Sequence, residues 1–339
     1  MNKRAVALIS CGLDSLLAAK IAKDQGAEIA GLHFEHCFLP EHKSTLKRVS
    51  EEIGISIAVR NVSNEIIALL ENPAHGFGAN INPCIDCRIM SFKIAGEYMK
   101  EVNASFIITG EVIGQRPMSQ NRQALSLIER ESELEGKILR PLSALLLKPT
   151  EPEKAGMVDR EKLFGFKGRT RKPQLELARH LGLTEWQTPA GGCLLTDPGF
   201  SSRLKTVMEM GLAINENMVE VVKSGRLFRL QGSTILIIGR NQRENLELEK
   251  LIVAGDIVFW PEDVPGPTAL LRGKSVKNNI ALARQMLARY TDVAPGQKRH
   301  GCQKNVSTGE VDKFEFRKYL ITRTTGRNKG LASTLNFKS

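Results

Sequence analysis

Short unbroken apolar runs recur along the first half of the chain, and each is followed by a stretch whose apolar residues fall at helical spacing. The first run, Val6-Ala7-Leu8-Ile9, ends in Ser10-Cys11-Gly12-Leu13-Asp14-Ser15, and a helical stretch from Leu16 to Ala22 follows at once. Ala27 to Phe34 predicts a second strand once Gly26 has stopped that helix. An amphipathic helix from His42 to Ile53 ends at Gly54, and Ile55 to Val59 predicts a third strand. A helix from Ile89 to Lys100 leads into Ser105-Phe106-Ile107-Ile108, an apolar strand that ends in Thr109-Gly110-Glu111. Strands alternating with helices at this spacing predict an α/β fold, a doubly wound parallel sheet covered on both faces, with its ligands at the carboxyl ends of the strands.

The rhythm then changes. Glu151 to Arg160 and Gln174 to Leu181 read as helices, the second opened by Pro173, and Met208 to Lys223 reads as one amphipathic helix. Leu227 to Leu230, Thr234 to Ile238 and Asp256 to Trp260 are short β-like runs with a helix opening after Gly239, which predicts a smaller α+β domain. The expected division is a catalytic domain over 1–175, a helical linker over 176–225, a second domain over 226–290 and a basic tail over 291–339.

A chain of 339 residues is long enough for two domains, and 42% hydrophobic content excludes disorder. No run reaches the apolar length that spans a bilayer, and the first run is too short for a secretory signal, so the expectation is a cytoplasmic protein with no membrane partner. Six cysteines in such a setting point to metal or redox chemistry, not to a disulfide framework. The formal charge of +11 changes the picture further, because it favours phosphate-bearing partners. Its distribution is uneven: residues 291–339 hold ten Lys and Arg against four Asp and Glu, and Lys167, Arg169, Arg171 and Lys172 form a second basic cluster.

The segment Ser10 to Ser15 joins a buried strand to a helix N-terminus, where backbone N–H groups at Gly12 to Ser15, the positive helix end and two hydroxyls can hold a phosphate or pyrophosphate. The pattern Ser-x-Gly-x-Asp-Ser resembles the PP-loop of ATP pyrophosphatases, which adenylate an oxygen and release pyrophosphate. The usual loop has glycine where this chain has Cys11, and cysteine fits less comfortably if that site requires a positive φ. At the end of the second strand, His33 and Phe34 are placed where an adenine ring could lie.

Cys84-Ile85-Asp86-Cys87 is a C-x-x-C that fits zinc, a redox dithiol or an iron–sulfur cluster. Thr109-Gly110-Glu111, Ile113-Gly114-Gln115, Met118-Ser119-Gln120 and Leu139-Arg140-Pro141-Leu142, in that order, are similar to the catalytic domain of the tRNA 4-thiouridine synthetases. The C-x-x-C with its trailing Phe92-Lys93 resembles the thiolases that make 2-thiouridine in tRNA. A third cysteine follows in Gly191-Gly192-Cys193-Leu194-Leu195-Thr196-Asp197, which resembles the segment carrying the distal cysteine in cluster-bearing members of the tRNA thiolation group. Structural zinc would need a fourth ligand, for which Cys302 and His300 are the distant candidates, while Cys11 and Cys37 read as packed thiols. From Arg226 to Tyr290, Gly239-Arg240-Asn241-Gln242-Arg243-Glu244-Asn245 followed by Asp256-Ile257-Val258-Phe259-Trp260 resembles the RNA-binding domain of the NFACT family.

These resemblances imply a PP-loop fold of the adenine nucleotide alpha hydrolase kind and an ATP-dependent tRNA sulfurtransferase. They place ATP and Mg²⁺ at Ser10, Cys11, Gly12, Leu13, Asp14, Ser15, His33, Phe34, Thr109, Gly110 and Gln115. Asp14, Cys84, Cys87 and Cys193 would be catalytic, with the three cysteines holding a [4Fe-4S] cluster in preference to carrying a persulfide. Phosphate contacts to tRNA would come from Arg169, Arg171, Lys172, Arg240, Arg243, Arg272 and Lys274, and Trp260 would stack on a base. The sulfur donor, a cysteine desulfurase or free sulfide, and a homodimeric state are left open. Two other readings stand beside this one, a PP-loop enzyme acting on a small molecule and a non-catalytic RNA-binding protein with a zinc site.

Overall fold

The computed structural model describes residues 3–187, 192–274 and 276–318; residues 188–191 of the glycine-rich loop and 319–339 of the basic tail lie outside them. The chain divides into two compact units, 1–198 and 199–339.

The first unit is built on a five-stranded parallel sheet of order β3-β2-β1-β4-β5. In chain order it runs β1 (Arg4–Leu8), α1 (Leu13–Asp24), β2 (Glu28–Glu35), α2 (Lys43–Ile53), β3 (Ser56–Asn61), α3 (Ser63–Leu69), α4 (Cys84–Glu101), β4 (Phe106–Ile108), α5 (Arg122–Glu131), β5 (Ile138–Leu139), α6 (Glu151–Lys154) and α7 (Lys172–His180). The period-two alternation of β1 explains why its residues are uniformly apolar. Ala5, Ala7 and Ile9 pack with Leu16, Leu17, Val49 and Ala178 from α1, α2 and α7, while Val6 and Leu8 pack with Phe92, Ala95 and Ile128 from α4 and α5. Because β1 has β2 on one side and β4 on the other, the chain reverses its winding there and opens a crevice outside their carboxyl ends.

Two element boundaries differ from expectation for local reasons. Helix α4 begins at Cys84, five residues before the predicted start, because the Cys87 N–H reaches the Pro83 carbonyl at 2.8 Å and closes a turn the mixed polarity of Cys-Ile-Asp-Cys-Arg conceals. The predicted helix from Glu151 to Arg160 stops at Lys154, opened by a Thr150/Glu153 capping box and ended at Gly156, whose φ is +68°.

The second unit opens with α8 (Pro198–Glu209) and α9 (Glu216–Lys223). The single helix predicted over Met208 to Lys223 is broken by Gly211 at φ +65°, and it restarts at Asn215, whose side chain accepts from the Met218 N–H. There follow β6 (Arg226–Leu230), β7 (Thr234–Ile238), α10 (Gln242–Lys250), β8 (Ile257–Pro261), β9 (Ala269–Gly273), α11 (Val276–Tyr290), β10 (Lys298–Asn305) and β11 (Val311–Arg317). The strands form one antiparallel sheet of order β11-β10-β8-β9-β7-β6, so the start of the basic tail continues the sheet. One face is closed by α11, whose Ala283 and Leu287 pack with Phe259, Leu271, Phe314 and Phe316. Among the described residues no helix is long and apolar enough to cross a membrane.

Candidate nucleotide and thiol site

Ser10 to Ser15 turn the chain from the end of β1 into α1 at the crevice. The Ser15 hydroxyl accepts from the Ser10 N–H and hydroxyl, both at 3.2 Å, and donates to the Gly12 carbonyl at 2.8 Å. Cys11 stands at φ +58°, the left-handed region expected to suit glycine, at a cost of roughly 1–2 kcal/mol. It is fully buried, and burial pushes its thiol up to about 11. The loop is braced from later in the chain, since the Gln187 N–H donates to the Cys11 carbonyl at 2.9 Å.

Asp14 is buried, and its Oδ2 accepts from Gln115 Nε2 at 2.7 Å and from Arg171 at 2.9 Å. Its Oδ1 is buried with no hydrogen-bond partner among the described residues. A carboxylate oxygen left in that state needs a ligand, and a divalent cation fits it. Arg171, expected among the RNA contacts, therefore belongs to the loop. His33, expected beside adenine, is 2% exposed and places Nδ1 2.6 Å from the Ile9 carbonyl. Burial lowers its pKa, so a neutral ring donates to that carbonyl and supports the loop from within the sheet instead of lining its mouth. Phe34 is half-buried against the α4 side of the sheet.

Across the crevice, Thr109 is buried and Gly110 lies directly on the loop: a Cβ at Gly110 would fall 2.4 Å from the Asp14 carbonyl carbon and the Ser15 nitrogen. Only glycine permits this approach. Glu111 is 1% exposed and accepts from Arg88 at 2.7 and 3.1 Å and from Arg140 at 2.9 Å, while Arg140 also pairs with Glu129. Burial works to raise the Glu111 carboxyl, and the two guanidinium groups overcome it and hold the group below the ordinary carboxylate range. The residue sequence Asp14, Gly110, Glu111, Arg88, Cys87 is thus a continuous chain of contacts and bonds from the phosphate loop to the thiols.

Cys84 and Cys87 occupy the first turn of α4. Cys193 is brought toward them by hydrogen bonds on both sides: the Leu194 N–H donates to the Phe38 carbonyl at 3.0 Å, and Asn80 Nδ2 donates to the Thr196 carbonyl at 2.8 Å. Cys84, Cys87 and Cys37 all lie near enough that a thiolate on any of them disfavours one on Cys193. Cys37, read from sequence as incidental, therefore stands at the same corner. Burial raises all three expected ligands, Cys87 to about 11 and Cys193 to about 12, with Arg116 and Arg88 opposing it at Cys84. Among the described residues no group of three or more His, Cys, Asp or Glu stands at a spacing that already holds a metal ion. Cys302 and His300 lie on β10 of the second unit.

Arg116 is a residue that sequence reasoning missed. It is exposed, has no ion pair among the described residues and lies within electrostatic reach of Cys84, Arg88 and Arg171. In the second unit Arg240 and Arg243 are engaged in exposed pairs with Glu244 and Glu247, and Lys274, like Arg169 and Lys172 in the first unit, is exposed. Arg272 is not a phosphate contact: it is buried, bonded twice to Asp256, and also to Asn217 and the Leu251 carbonyl.

Residues 1–146 match the family model described as thiamine biosynthesis protein (ThiI), and residues 225–314 match that of the NFACT protein RNA-binding domain. The ThiI-type match thus falls in the first unit and the NFACT-type match in the second. The chain is 27% identical over 114 residues to the tRNA-specific 2-thiouridylase MnmA of Desulfosudis oleivorans, covering 32% of each chain. It is 40% identical over 58 residues to a 7-cyano-7-deazaguanine synthase of a Sulfurovum species, covering 16% of this chain and 26% of that one. The chain thus spans about a third or less of these relatives' length. A solved structure of the U34-tRNA thiolase NcsA from Methanococcus maripaludis with its [4Fe-4S] cluster aligns with a TM-score of 0.34 and 17% identity over 64% of this chain and 70% of that one.

Proposed function

We propose that the chain is an ATP-dependent tRNA thiolation enzyme. A carbonyl oxygen of a tRNA base attacks the α-phosphate of ATP and pyrophosphate leaves; sulfur then adds at the activated carbon, and AMP departs with the oxygen. The observation that carries this reading is the single unit in which a nucleotide loop and three converging thiols are linked through Gly110, Glu111 and Arg88. The ThiI-type match, the 2-thiouridylase relatives and the RNA-binding domain support tRNA as the substrate.

Ser10, Gly12 and Ser15 with the N-terminus of α1 would hold the pyrophosphate, Asp14 would carry Mg²⁺ on its free Oδ1, and Thr109 and Gly110 would border the α-phosphate. Arg116 would meet the negative charge that develops at the mouth. In kind, three thiols suit an iron–sulfur cluster with one open iron. Cys84, Cys87 and Cys193 would hold it, and its open iron would supply a place for sulfide. The 7-cyano-7-deazaguanine synthase match keeps small-molecule chemistry in view, but such an enzyme has no use for the RNA-binding domain.

Asp14→Asn and Ser15→Ala are expected to abolish pyrophosphate release and leave RNA affinity intact. Serine at Cys84, Cys87 or Cys193 is expected to abolish thiolated tRNA while adenylation persists, with Cys302→Ser as the unaffected control. ATP turnover that survives the loop changes overturns the proposal. Oxygen-free purification and an absorption spectrum separate a cluster from a trapped persulfide.

A further inference from the structure

The sheet face opposite α11 carries a pocket around Trp260, the residue expected from the sequence to stack on a base. Ile257 and Phe259 of β8 point into the α11 core, so Val258 and Trp260 face the other way, and β10 places Lys304 directly across from Val258. Glu249 and Ile252 from the end of α10 and the turn after it, with Thr268 and Val306, complete a cavity of about 330 Å³. Trp260 is only half-buried, no other ring or cation stacks on it among the described residues, and its indole N–H has no partner there. The Thr268 hydroxyl donates to Glu249 Oε1 at 3.1 Å and holds that carboxylate at the rim. Lys304 is exposed with no ion pair among the described residues.

The size decides against a duplex or a folded peptide element, since a pocket at the low end of small-ligand cavities takes about one nucleotide. The chemistry narrows it further. A flat indole offers a stacking face, and an unpaired ammonium beside it offers a phosphate contact. Glu249 has acceptor capacity left after binding Thr268 and needs N–H donors. Guanine presents two adjacent N–H donors on its Watson–Crick edge, whereas adenine and cytosine each place an acceptor beside their single amino group, which a carboxylate repels.

We propose that this pocket binds one unpaired guanosine of the RNA, with the base stacked on Trp260, its edge read by Glu249 and its phosphate on Lys304. The proposal rests on the RNA-binding reading of this domain and adds a base preference to it.

The test uses the full chain, intact tRNA and two single-stranded pentamers, UUGUU and UUAUU, with binding followed by fluorescence anisotropy of labelled RNA. The guanine pentamer is expected to bind about tenfold more tightly than the adenine one. Trp260→Ala is expected to lower affinity for both by about tenfold with no change in salt dependence, and Trp260→Phe to retain most of it. Glu249→Gln, at an exposed position, is expected to erase the guanine preference. Lys304→Gln is expected to weaken both and to reduce the salt slope by about one phosphate contact. Intact tRNA binding with no guanine preference in the unaltered protein, or a preference that survives Glu249→Gln, overturns the pocket alone. Loss of all RNA binding by the unaltered chain removes the domain reading and the pocket with it.

Discussion

Cys11 and Gly110 show how closely two main-chain segments are fitted at the crevice. Cys11 holds a left-handed φ of +58° with a buried thiol, so a change there trades backbone strain against lost burial. Relief of the strain is worth roughly 1–2 kcal/mol and the buried thiol about 1 kcal/mol. Cys11→Gly is therefore expected to match the unaltered protein to within about 1 kcal/mol. Cys11→Ala keeps the strain while losing the thiol, and is expected to be less stable than Cys11→Gly by about 1 kcal/mol in urea unfolding. At Gly110 the balance is one-sided, because an added methyl meets backbone atoms at 2.4 Å that cannot rotate away. Gly110→Ala is expected to cost about 3 kcal/mol and to abolish ATP binding, both readable by thermal unfolding with and without nucleotide. The glycine was quoted from the sequence for its motif. Its partner at Asp14, and the Arg171 bond to the same residue, were not legible, because they join positions far apart in the chain, 157 residues in the case of Arg171, and no local pattern encodes such a meeting.

At the scale of elements, the segment leading into α4 is held by a histidine clamp. His75 donates its backbone N–H to Asp86 at 3.1 Å and sets Nδ1 3.0 Å from Asp86 and Nε2 3.3 Å from Glu131. Its pKa is raised, first by the Asp86 hydrogen bond, with the two carboxylate charges adding to it against burial. The sign follows. A folded-state pKa above the unfolded one gives stability that is fully present below the unfolded value of 6.5 and is lost as pH rises through the folded value. Thermal midpoints are therefore expected to fall across that window, and His75→Gln is expected to flatten the fall. The parallel strands were the most legible elements because burial on both faces leaves them purely apolar. The hairpin of β10 and β11 was invisible for the opposite reason: Lys298–Asn305 buries only Gly301, Cys302 and Gln303, and Val311–Arg317 only Phe314 and Phe316. The break at Gly211 was readable from the glycine alone and was overridden by the apolar spacing on either side.

For the molecule as a whole, the division into two compact units lets the two proposed activities be tested apart. The fragment 1–198 is expected to retain ATP binding and to lose most RNA affinity, with a flatter dependence on salt, because the lysines and arginines of the antiparallel sheet leave with the second unit. Titration with tRNA at several salt concentrations reads both effects, and an unchanged slope places RNA recognition in the first unit. The net charge announced a phosphate-bearing partner but not its contacts: Arg272 looks on paper like any other basic residue, and its burial against Asp256 comes from the Asn217 side chain and the Leu251 carbonyl that close over it on the face of β9 away from α11.

The brace on the nucleotide loop also bears on how the protein is made. All five strands of the first sheet have been synthesised once Leu139 is reached, so a nascent chain of that length already contains the parallel sheet, the loop and Gly110. It lacks Arg171, which neutralises Asp14, and Gln187, which pins the Cys11 carbonyl. Until those two residues leave the ribosome, Asp14 has the neutral Gln115 as its hydrogen-bond donor but no guanidinium beside it, and the turn at Cys11 is held only by the Ser10, Ser15 and Gly12 bonds within the loop. The order of residues along the chain thus completes the bracing of this loop only as the stretch leading to the third cysteine is emerging.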